Sequence, residues 1–198
     1  MTIGAFMAGG NSQTGRVEND VYDTPEEVTQ TLFTSLPHFF PTGQMIYEPC
    51  CGDGKMGRVI EKNGYGVIGT DINPRGYGSK ADFKTLTSVP YKNVVTNPPF
   101  KDAEELIRKA LGEWKVERLA LLLKSTYFHA SERTVLFDEF KPTHILALPW
   151  RPDFHGQGRP TMEMSWFVWD FTTVDAECSY RIAHNLNPKK KSSRKPAS

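Results

Sequence analysis

The chain has 198 residues, with 24 lysines and arginines against 23 aspartates and glutamates, which gives a net charge of +1. This length suits one sizeable core, and no apolar run reaches the roughly eighteen residues that a membrane span requires. The three cysteines form no disulfide or C-x-x-C pattern, and the first residues lack the basic start of a signal peptide, so we expect a cytoplasmic protein with reduced cysteines. The five histidines lack the spacing of metal ligands, so we expect no metal site.

Apolar runs and turn residues predict alternating helices and strands without an internal repeat. Thr24-Pro25-Glu26-Glu27 has the pattern of a capping box and predicts a helix that continues to about Leu36. Strands are expected near residues 45–49, 66–70, 93–96, 118–123, 144–149 and 165–171, and further helices at 55–63, from Asp102 onward and at 131–140.

The helix from Asp102 carries an apolar stripe, which indicates a core-facing side. Its members are Leu106, Ile107, Ala110, Leu111 and Trp114. The last two predicted strands should pair as an antiparallel hairpin whose loop runs from Trp150 to Met164.

A glycine-rich turn follows the strand that ends at Glu48. Gly52, Gly54 and Gly57 form a G-x-G-x-x-G pattern, and Asp71 lies nineteen residues after Gly52 at the end of the next apolar run. This pattern predicts a ligand that contains adenosine, such as a dinucleotide whose ribose hydroxyls bind Asp71. Glu48 would repel a pyrophosphate, however, and the same carboxylate favours a cationic ligand such as S-adenosylmethionine.

The tetrapeptide Asn97-Pro98-Pro99-Phe100 follows the β-branched run Val94-Val95-Thr96. Two consecutive prolines end a strand and do not fit the interior of a helix. We therefore expect a stiff loop at the carboxyl end of a buried strand. Open α/β sheets bind ligands at that edge. One amide, two constrained carbonyls and one aromatic face can hold a planar nitrogenous group by its NH2 while its ring stacks.

Together these segments resemble the motifs of the class I N6-adenine DNA methyltransferases. The similar segments are Glu-Pro-Cys-Cys-Gly-Asp-Gly at 48–54, Thr-Asp-Ile-Asn at 70–73, Ala-Asp-Phe at 81–83 and Asn-Pro-Pro-Phe at 97–100, preceded by Tyr-Asp-Thr-Pro at 22–25. The resemblance covers residues 20 to 171, in the order of that family. It implies a Rossmann-like α/β fold with a seven-stranded sheet, its last strand antiparallel, and helices on both faces.

The resemblance also implies roles for individual residues. Asp71 would bind the ribose hydroxyls of S-adenosylmethionine and Asp82 the adenine amine, while Asp23 and Thr24 would lie near the methionine end. The expected cofactor site comprises Tyr22, Asp23, Thr24, Pro25, Glu48, Pro49, Cys50, Gly52, Gly54, Asp71, Ile72, Asp82, Phe83 and Asn97. The expected catalytic residues are Asn97, Pro98, Pro99 and Phe100, with Phe100 stacking on a flipped-out adenine.

Two segments are candidates for contact with nucleic acid. The loop from Trp150 to Met164, after the fifth predicted strand, mixes cations and aromatics, so Arg151 and Arg159 are expected at phosphates and Trp150 and Phe154 at bases. Five of the 24 basic residues lie in the last ten positions, among them Lys189, Lys190 and Lys191. This tail, residues 188–198, is expected to be disordered and to hold phosphates without specificity.

The sequence therefore predicts one methyltransferase domain over residues 1–187, with a flexible segment at 1–20, acting as a monomer or weak dimer on DNA. No stretch between the motifs is left for a separate target-recognition region, so selection should be degenerate or rest on a partner protein. An RNA or protein-amide methyltransferase, a dinucleotide oxidoreductase and a non-catalytic nucleic-acid-binding module are the alternatives.

Overall fold

The computed structural model describes residues 23–158, 160–173 and 177–184. The strands are β1 Met45–Glu48, β2 Gly66–Asp71, β3 Ser79–Lys80, β4 Asn93–Thr96, β5 Arg118–Lys124, β6 His144–Ala147, β7 Met164–Asp170 and β8 Ser179–Ile182. The α-helices are α1 Glu26–Ser35, α2 Lys55–Lys62, α3 Ala103–Ile107 and α4 Thr134–Glu139. A π-helix, Arg108–Glu113, continues α3, and single 3₁₀ turns lie at Phe83–Thr85, Tyr127–His129 and Ser131–Arg133.

The strands form a single mixed sheet in the order β3-β2-β1-β4-β5-β7-β6-β8. Strand β7 runs antiparallel to both of its neighbours, and the other neighbouring pairs are parallel. The predicted hairpin of β6 and β7 is confirmed. The described sheet has eight strands, namely the six located in the sequence and two short edge strands, β3 and β8. It therefore has one strand more than the seven of the expected sheet, and β8 follows the antiparallel strand that was expected to be last.

The two faces of the sheet support two separate cores, with helices on both faces as predicted. Alternation along β5 shows the division: Ala120 and Leu122 belong to the core beneath α1 and α2, whereas Leu119, Leu121 and Leu123 belong to the core beneath α3, the π-helix and α4. The predicted apolar stripe from Leu106 to Trp114 lies wholly in the second core. Both faces of β5 are buried, as a central strand of an α/β sheet requires.

The predicted capping box at the start of α1 is wrong. Helix α1 begins at Glu26 with Pro25 at the N-cap position and has no side-chain cap hydrogen bond. The Thr24 hydroxyl instead accepts a hydrogen bond of 3.0 Å from the Asn97 side-chain nitrogen. Thr24 therefore joins α1 to the loop after β4 and does not stabilise the helix end.

Several predictions concern residues outside the described ranges. These are the segment 1–20, Tyr22, Arg159 and the tail 188–198 with Lys189, Lys190 and Lys191. The one-domain assignment to 1–187 accordingly stays a prediction at both of its ends. Among the helices of the described ranges, none has the length and apolarity to cross a bilayer.

The tight fit of Tyr77 against α2 makes Gly57 a sensitive position. A Cβ on Gly57 would overlap the Tyr77 ring, whose hydroxyl donates to Glu61 Oε1 at 2.9 Å. Alanine normally favours a helix over glycine by ~1 kcal/mol, but overpacking costs about 1–3 kcal/mol. We expect Gly57→Ala to lower the free energy of unfolding, measured in urea.

Gly112→Ala is the matched control, because a Cβ there would lie 3.6 Å from its nearest neighbour, Phe140 Cζ, an ordinary contact. It should leave stability unchanged or raise it. A Gly57→Ala variant as stable as Gly112→Ala would show that Tyr77 does not pack where the structure has it.

Candidate cofactor and substrate site

Three loops meet at the carboxyl edge of the sheet, where the connections from neighbouring strands diverge. Strand β1 leads to β2 and β3 on one side, while its other neighbour, β4, leads to β5 on the opposite side. This is the topological switch point at which open α/β sheets form ligand crevices. The glycine turn follows β1, Asp71 ends β2, and Asn97 follows β4.

A cavity of about 550 Å³ lies among these loops. Small-molecule sites commonly have volumes of about 300–1,000 Å³. The cavity brings together nine predicted site residues, namely Pro49, Cys50, Gly52, Asp71, Ile72, Asp82, Phe83, Asn97 and Pro99. Asn73, Arg75, Ala81, Lys84, Lys101 and Asp102 complete its lining.

The glycine turn is anchored to the end of β2 through Asp71. Gly52 and Gly54 have φ of +52° and +81°, a region that glycine adopts without a Cβ penalty. This conformation lets the Gly52 amide donate to Asp71 Oδ2 at 2.9 Å, while Oδ1 accepts from the Asn73 amide at 2.8 Å. Each carboxylate oxygen can accept a further bond, so the fixed carboxylate can receive two neighbouring hydroxyl groups.

The far wall of the cavity combines apolar surface with one carboxylate. Asp82 Oδ1 accepts from the Lys84 amide at 3.0 Å and so begins the 3₁₀ turn. Phe83, the next residue, is buried, and Ile72, directly after β2, is 55% exposed. All three line the cavity, which therefore offers apolar surface and one carboxylate to a planar ring with a polar edge.

A smaller cavity of about 30 Å³ shares Cys50, Gly52, Arg75 and Asn97 with the larger one. Asp23, Thr24 and Glu48 also line it, which brings three further predicted residues to the site. The Asn97 amide, held by Thr24, therefore lies where the two cavities meet. Four described residues of the predicted site line neither cavity: Pro25, at the N-cap of α1, Gly54, at the N-cap of α2, and the predicted catalytic residues Pro98 and Phe100.

The Asn-Pro-Pro-Phe loop is rigid and is tied to the following helix. Pro98 is buried, and the Pro99 carbonyl accepts from the Asp102 amide at 2.9 Å. Phe100 is half-buried and packs against both cores. The Lys124 ammonium lies 4.7 Å from the centroid of the Phe100 ring, a cation–π contact at the end of β5.

Glu48 is a buried acid with an incomplete set of partners. Its side chain is at the end of β1, the residue is 2% exposed, and Oε2 has no hydrogen-bond partner. Burial raises the pKa of Glu48 well above its usual 4.5, the nearby carboxylates of Asp53 and Asp71 raise it further, and the Gly57 amide opposes them only in part. An uncompensated carboxylate of this kind favours a cation beside it.

The adjacent thiols are unreactive at neutral pH. Burial, with Glu48 and Asp71 nearby, raises the pKa of Cys51 to about 12, and burial likewise raises the pKa of Cys50. The thiolate is the nucleophilic form, so neither cysteine is suited to covalent catalysis. Both thiols are free in the structure, and their reduced state in the cell stays a prediction.

The loop between β6 and β7 differs from the prediction. Phe154 is 8% exposed and belongs to the core beneath α1 and α2, against which Trp150 also packs, so neither ring stands out for base stacking. Arg151 is exposed but paired with Glu163, and this contact lowers the pKa of Glu163. Both rings gain more free energy from packing on the core than from contact with water. The composition of the loop could not show this.

The structure adds charged residues that the sequence analysis did not select. Arg75 and Lys55 both contact Asp23, and Lys84 bonds Asp102 at 2.6 Å across the larger cavity. Burial tends to raise the pKa of Asp23, but the Arg75 and Lys55 contacts lower it overall. The motif at 70–73 lies just before Arg75 in the sequence. No sequence pattern, however, indicated that Arg75 would pair with Asp23.

Glu48 should make stability depend on pH. Its raised folded-state pKa means that its contribution to stability is greatest below pH 4.5 and is lost as pH rises toward the folded-state pKa. Glu48→Gln removes this loss, so at pH 8 we expect it to raise the free energy of unfolding by about 1–3 kcal/mol, and by less at pH 5. Urea unfolding at both pH values measures this.

Glu117→Gln, which changes a carboxylate whose side chain is 41% exposed, is the control. It should alter stability by less than about 0.5 kcal/mol at either pH. A destabilised Glu48→Gln protein at pH 8 would contradict the assignment of Glu48 as an uncompensated buried acid.

Comparison with known proteins identifies the fold. No family model matches the sequence, and a search of curated proteins finds no match. A candidate RNA methyltransferase from Pyrococcus horikoshii is 15% identical with a TM-score of 0.59, over 80% of this chain and 90% of that one. A candidate class I S-adenosylmethionine-dependent methyltransferase from Listeria monocytogenes is 14% identical with a TM-score of 0.57, over 80% and 64% of the two chains.

A modification subunit of a candidate type I restriction enzyme from Vibrio vulnificus is also similar, with 14% identity and a TM-score of 0.54. The match covers 82% of this chain and 47% of that one, so this chain corresponds to about half of the subunit. At these identities the likeness concerns the fold. The chain has the fold of the class I S-adenosylmethionine-dependent methyltransferases.

Proposed function

We propose that the protein transfers the methyl group of S-adenosylmethionine to the N6 amine of an adenine in DNA. The observation that carries the proposal is the Asn97 side chain, held by Thr24 at the junction of the two cavities. An amide fixed beside a cofactor-sized cavity can orient an amine acceptor. The resemblance of Asn97-Pro98-Pro99-Phe100 to the adenine methyltransferase motif supports the same acceptor.

The cavity suits this cofactor in its charges and its shape. Asp71 would receive the ribose hydroxyls, and Asp82, Phe83 and Ile72, which line the same cavity, would receive the adenine. Glu48, buried with one unpartnered oxygen, favours the sulfonium and ammonium charges of S-adenosylmethionine. The pyrophosphate of a dinucleotide is negatively charged and could not stabilise the Glu48 carboxylate in this way, which argues against an oxidoreductase.

The residues of the chain would act by alignment. S-adenosylmethionine supplies an electrophilic methyl group, and its transfer to nitrogen leaves S-adenosylhomocysteine and a proton that passes to solvent. Hydrogen bonds from the adenine NH2 to Asn97 Oδ1 and the Pro98 carbonyl would draw the nitrogen lone pair out of the ring. Because the methyl group is already activated, orientation provides most of the acceleration.

The target adenine would have to leave the duplex to reach Asn97. Phe100 is the proposed stacking surface, and the Lys124 ammonium already lies over its ring. A base that stacks on this face would replace Lys124, while a base on the opposite face would leave it in place. In both cases we propose that Lys124, close to the stacked base, contacts the adjoining phosphate.

RNA is the second candidate substrate, favoured by the similarity to the Pyrococcus protein, of which 90% is covered. Transfer of tritium from labelled S-adenosylmethionine to DNA, RNA or protein, followed by nucleoside analysis, separates the substrate classes. We expect N6-methyladenine in DNA. Label only in RNA or protein would refute the DNA assignment and leave the methyltransferase assignment intact.

Asn97 and Asp71 should affect different steps. We expect Asn97→Ala to lower the methylation rate more than tenfold, a loss above ~1.4 kcal/mol, while binding of S-adenosylmethionine changes only slightly. Asp71→Ala should weaken cofactor binding first, because it loses charge-assisted bonds to the ribose. Single-turnover rates and calorimetric titration distinguish the two effects.

Thr24→Val is the matched variant for this experiment, because it removes the hydroxyl that accepts from Asn97 and keeps the side-chain shape. Its rate should fall between those of the wild type and Asn97→Ala. An Asn97→Ala variant that keeps more than a tenth of the wild-type rate would refute the role given to Asn97.

Selectivity should be low, because few described side chains other than those of the cavity are available to read base edges. Each good bidentate contact discriminates by roughly 1–3 kcal/mol, so one or two contacts define a context of only about one to three bases. We propose that Arg151, Arg159 and the lysine tail contribute affinity through phosphates. A protein that modified only a defined site of four or more base pairs would contradict this.

Truncation after Asn187 tests the role of the tail. It should weaken DNA binding by a similar factor for all sequences and flatten the dependence of affinity on salt, because fewer counterions are released. Titration of two unrelated duplexes at several salt concentrations measures both effects. A truncation that changed the preferred methylation context would show that the tail reads sequence.

A further inference from the structure

Arg75 lies across the junction of the two cavities and covers part of the glycine turn. Its amide donates to the Gly52 carbonyl at 3.0 Å, and a Cβ on Gly52 would lie 2.9 Å from its guanidinium. The guanidinium lines both cavities and is paired with the Asp23 carboxylate. It therefore lies over the turn whose glycines are proposed to let the cofactor approach.

The partner of Arg75 carries a second cation. Lys55 Nζ lies 3.3 Å from Asp23 Oδ2 and 3.7 Å from Asp53. The side chains of Asp23 and Arg75 are 25% and 42% exposed. An ion pair with this exposure contributes little to stability, so its opening is inexpensive.

The proposed cofactor ends in an amino acid, which has one ammonium and one carboxylate. Asp23 and Arg75 offer the complementary charges, and in the free protein they satisfy each other. A guanidinium binds a carboxylate through a planar, two-pronged contact, which makes it the better partner for that group than an ammonium.

We propose that Arg75 binds the carboxylate of S-adenosylmethionine in exchange for Asp23, whose own carboxylate then binds the cofactor's ammonium. This inference rests on the proposed function. It assigns Arg75 as the residue that makes the site selective for a cofactor with an intact amino-acid end. Lys55 keeps contact with Asp23 during the exchange.

The test compares S-adenosylmethionine with decarboxylated S-adenosylmethionine, since the two ligands share the adenosine, the sulfonium and the amine and differ only in the carboxylate. Calorimetric titration gives the ratio of their affinities for the wild type, Arg75→Gln, Arg75→Lys and Lys55→Gln. The ratio is used because partial unfolding of a variant lowers the concentration of binding sites equally for both ligands and therefore leaves the ratio unchanged.

We expect the wild type to prefer the carboxylated ligand by tenfold or more. Arg75→Gln should reduce this preference to less than threefold by weakening S-adenosylmethionine alone, and Arg75→Lys should restore part of it. Arg108→Gln is the matched control, because Arg108 is likewise a partly exposed arginine paired with carboxylates, Glu104 and Glu139, but lines neither cavity. Its ratio should equal that of the wild type.

Three results would overturn the inference. An unchanged ratio in Arg75→Gln would show that Arg75 does not bind the carboxylate, and a loss of the ratio in Lys55→Gln alone would assign that role to Lys55. A wild-type ratio near one would show that the carboxylate is not recognised, while the proposed function stands. If the wild type binds neither ligand, the proposed cofactor itself is wrong.

Discussion

The hydrogen bond between the Gly52 amide and Asp71 is the contact on which the site depends. It joins the turn after β1 to the end of β2, and the Cys51 amide reinforces it with a bond of 2.9 Å to the Thr70 carbonyl. Because the turn is held in this position, Tyr77 can pack on Gly54 and Gly57, and Arg75 can lie over Gly52. The glycines thus serve the protein's own packing as well as any ligand.

The site concentrates charge that the fold does not fully compensate. Glu48 is buried with an unpartnered oxygen, and Asp23 depends on two flexible cations. A buried acid with an unpartnered oxygen, such as Glu48, lowers the stability of the free protein and becomes favourable when a ligand of matching charge binds, which is the usual relation between stability and function at a binding site. The cores on both faces of the sheet are apolar and tightly buried, so they can support this local cost.

The contrast between Asn97 and Phe154 illustrates how tertiary packing assigns roles. Both belong to segments that looked suitable for nucleic-acid chemistry. Asn97 lies at the carboxyl edge between two cavities, bonded to a residue 73 positions away. Phe154 turns into the core, because its ring gains more from burial than from exposure to water. The roles of Asn97 and Arg151 stay proposals, whereas the burial of Phe154 removes its ring from contact with bases.

The resemblance to the adenine methyltransferases indicated that Asp82 belongs to the cofactor site. The sequence by itself determined the alternation of strands and helices, the hairpin of β6 and β7, and the position of Asp71 and Asn97 at the carboxyl ends of strands. These follow from local periodicity, proline and glycine geometry, and the rule that parallel strands present their carboxyl ends together. Only the tertiary structure decided that Thr24 binds Asn97 instead of capping α1, that Glu48 lacks a partner, and that Arg75 pairs with Asp23 over the glycine turn. Such contacts join residues far apart in the chain, and their geometry depends on how the whole sheet and its loops pack.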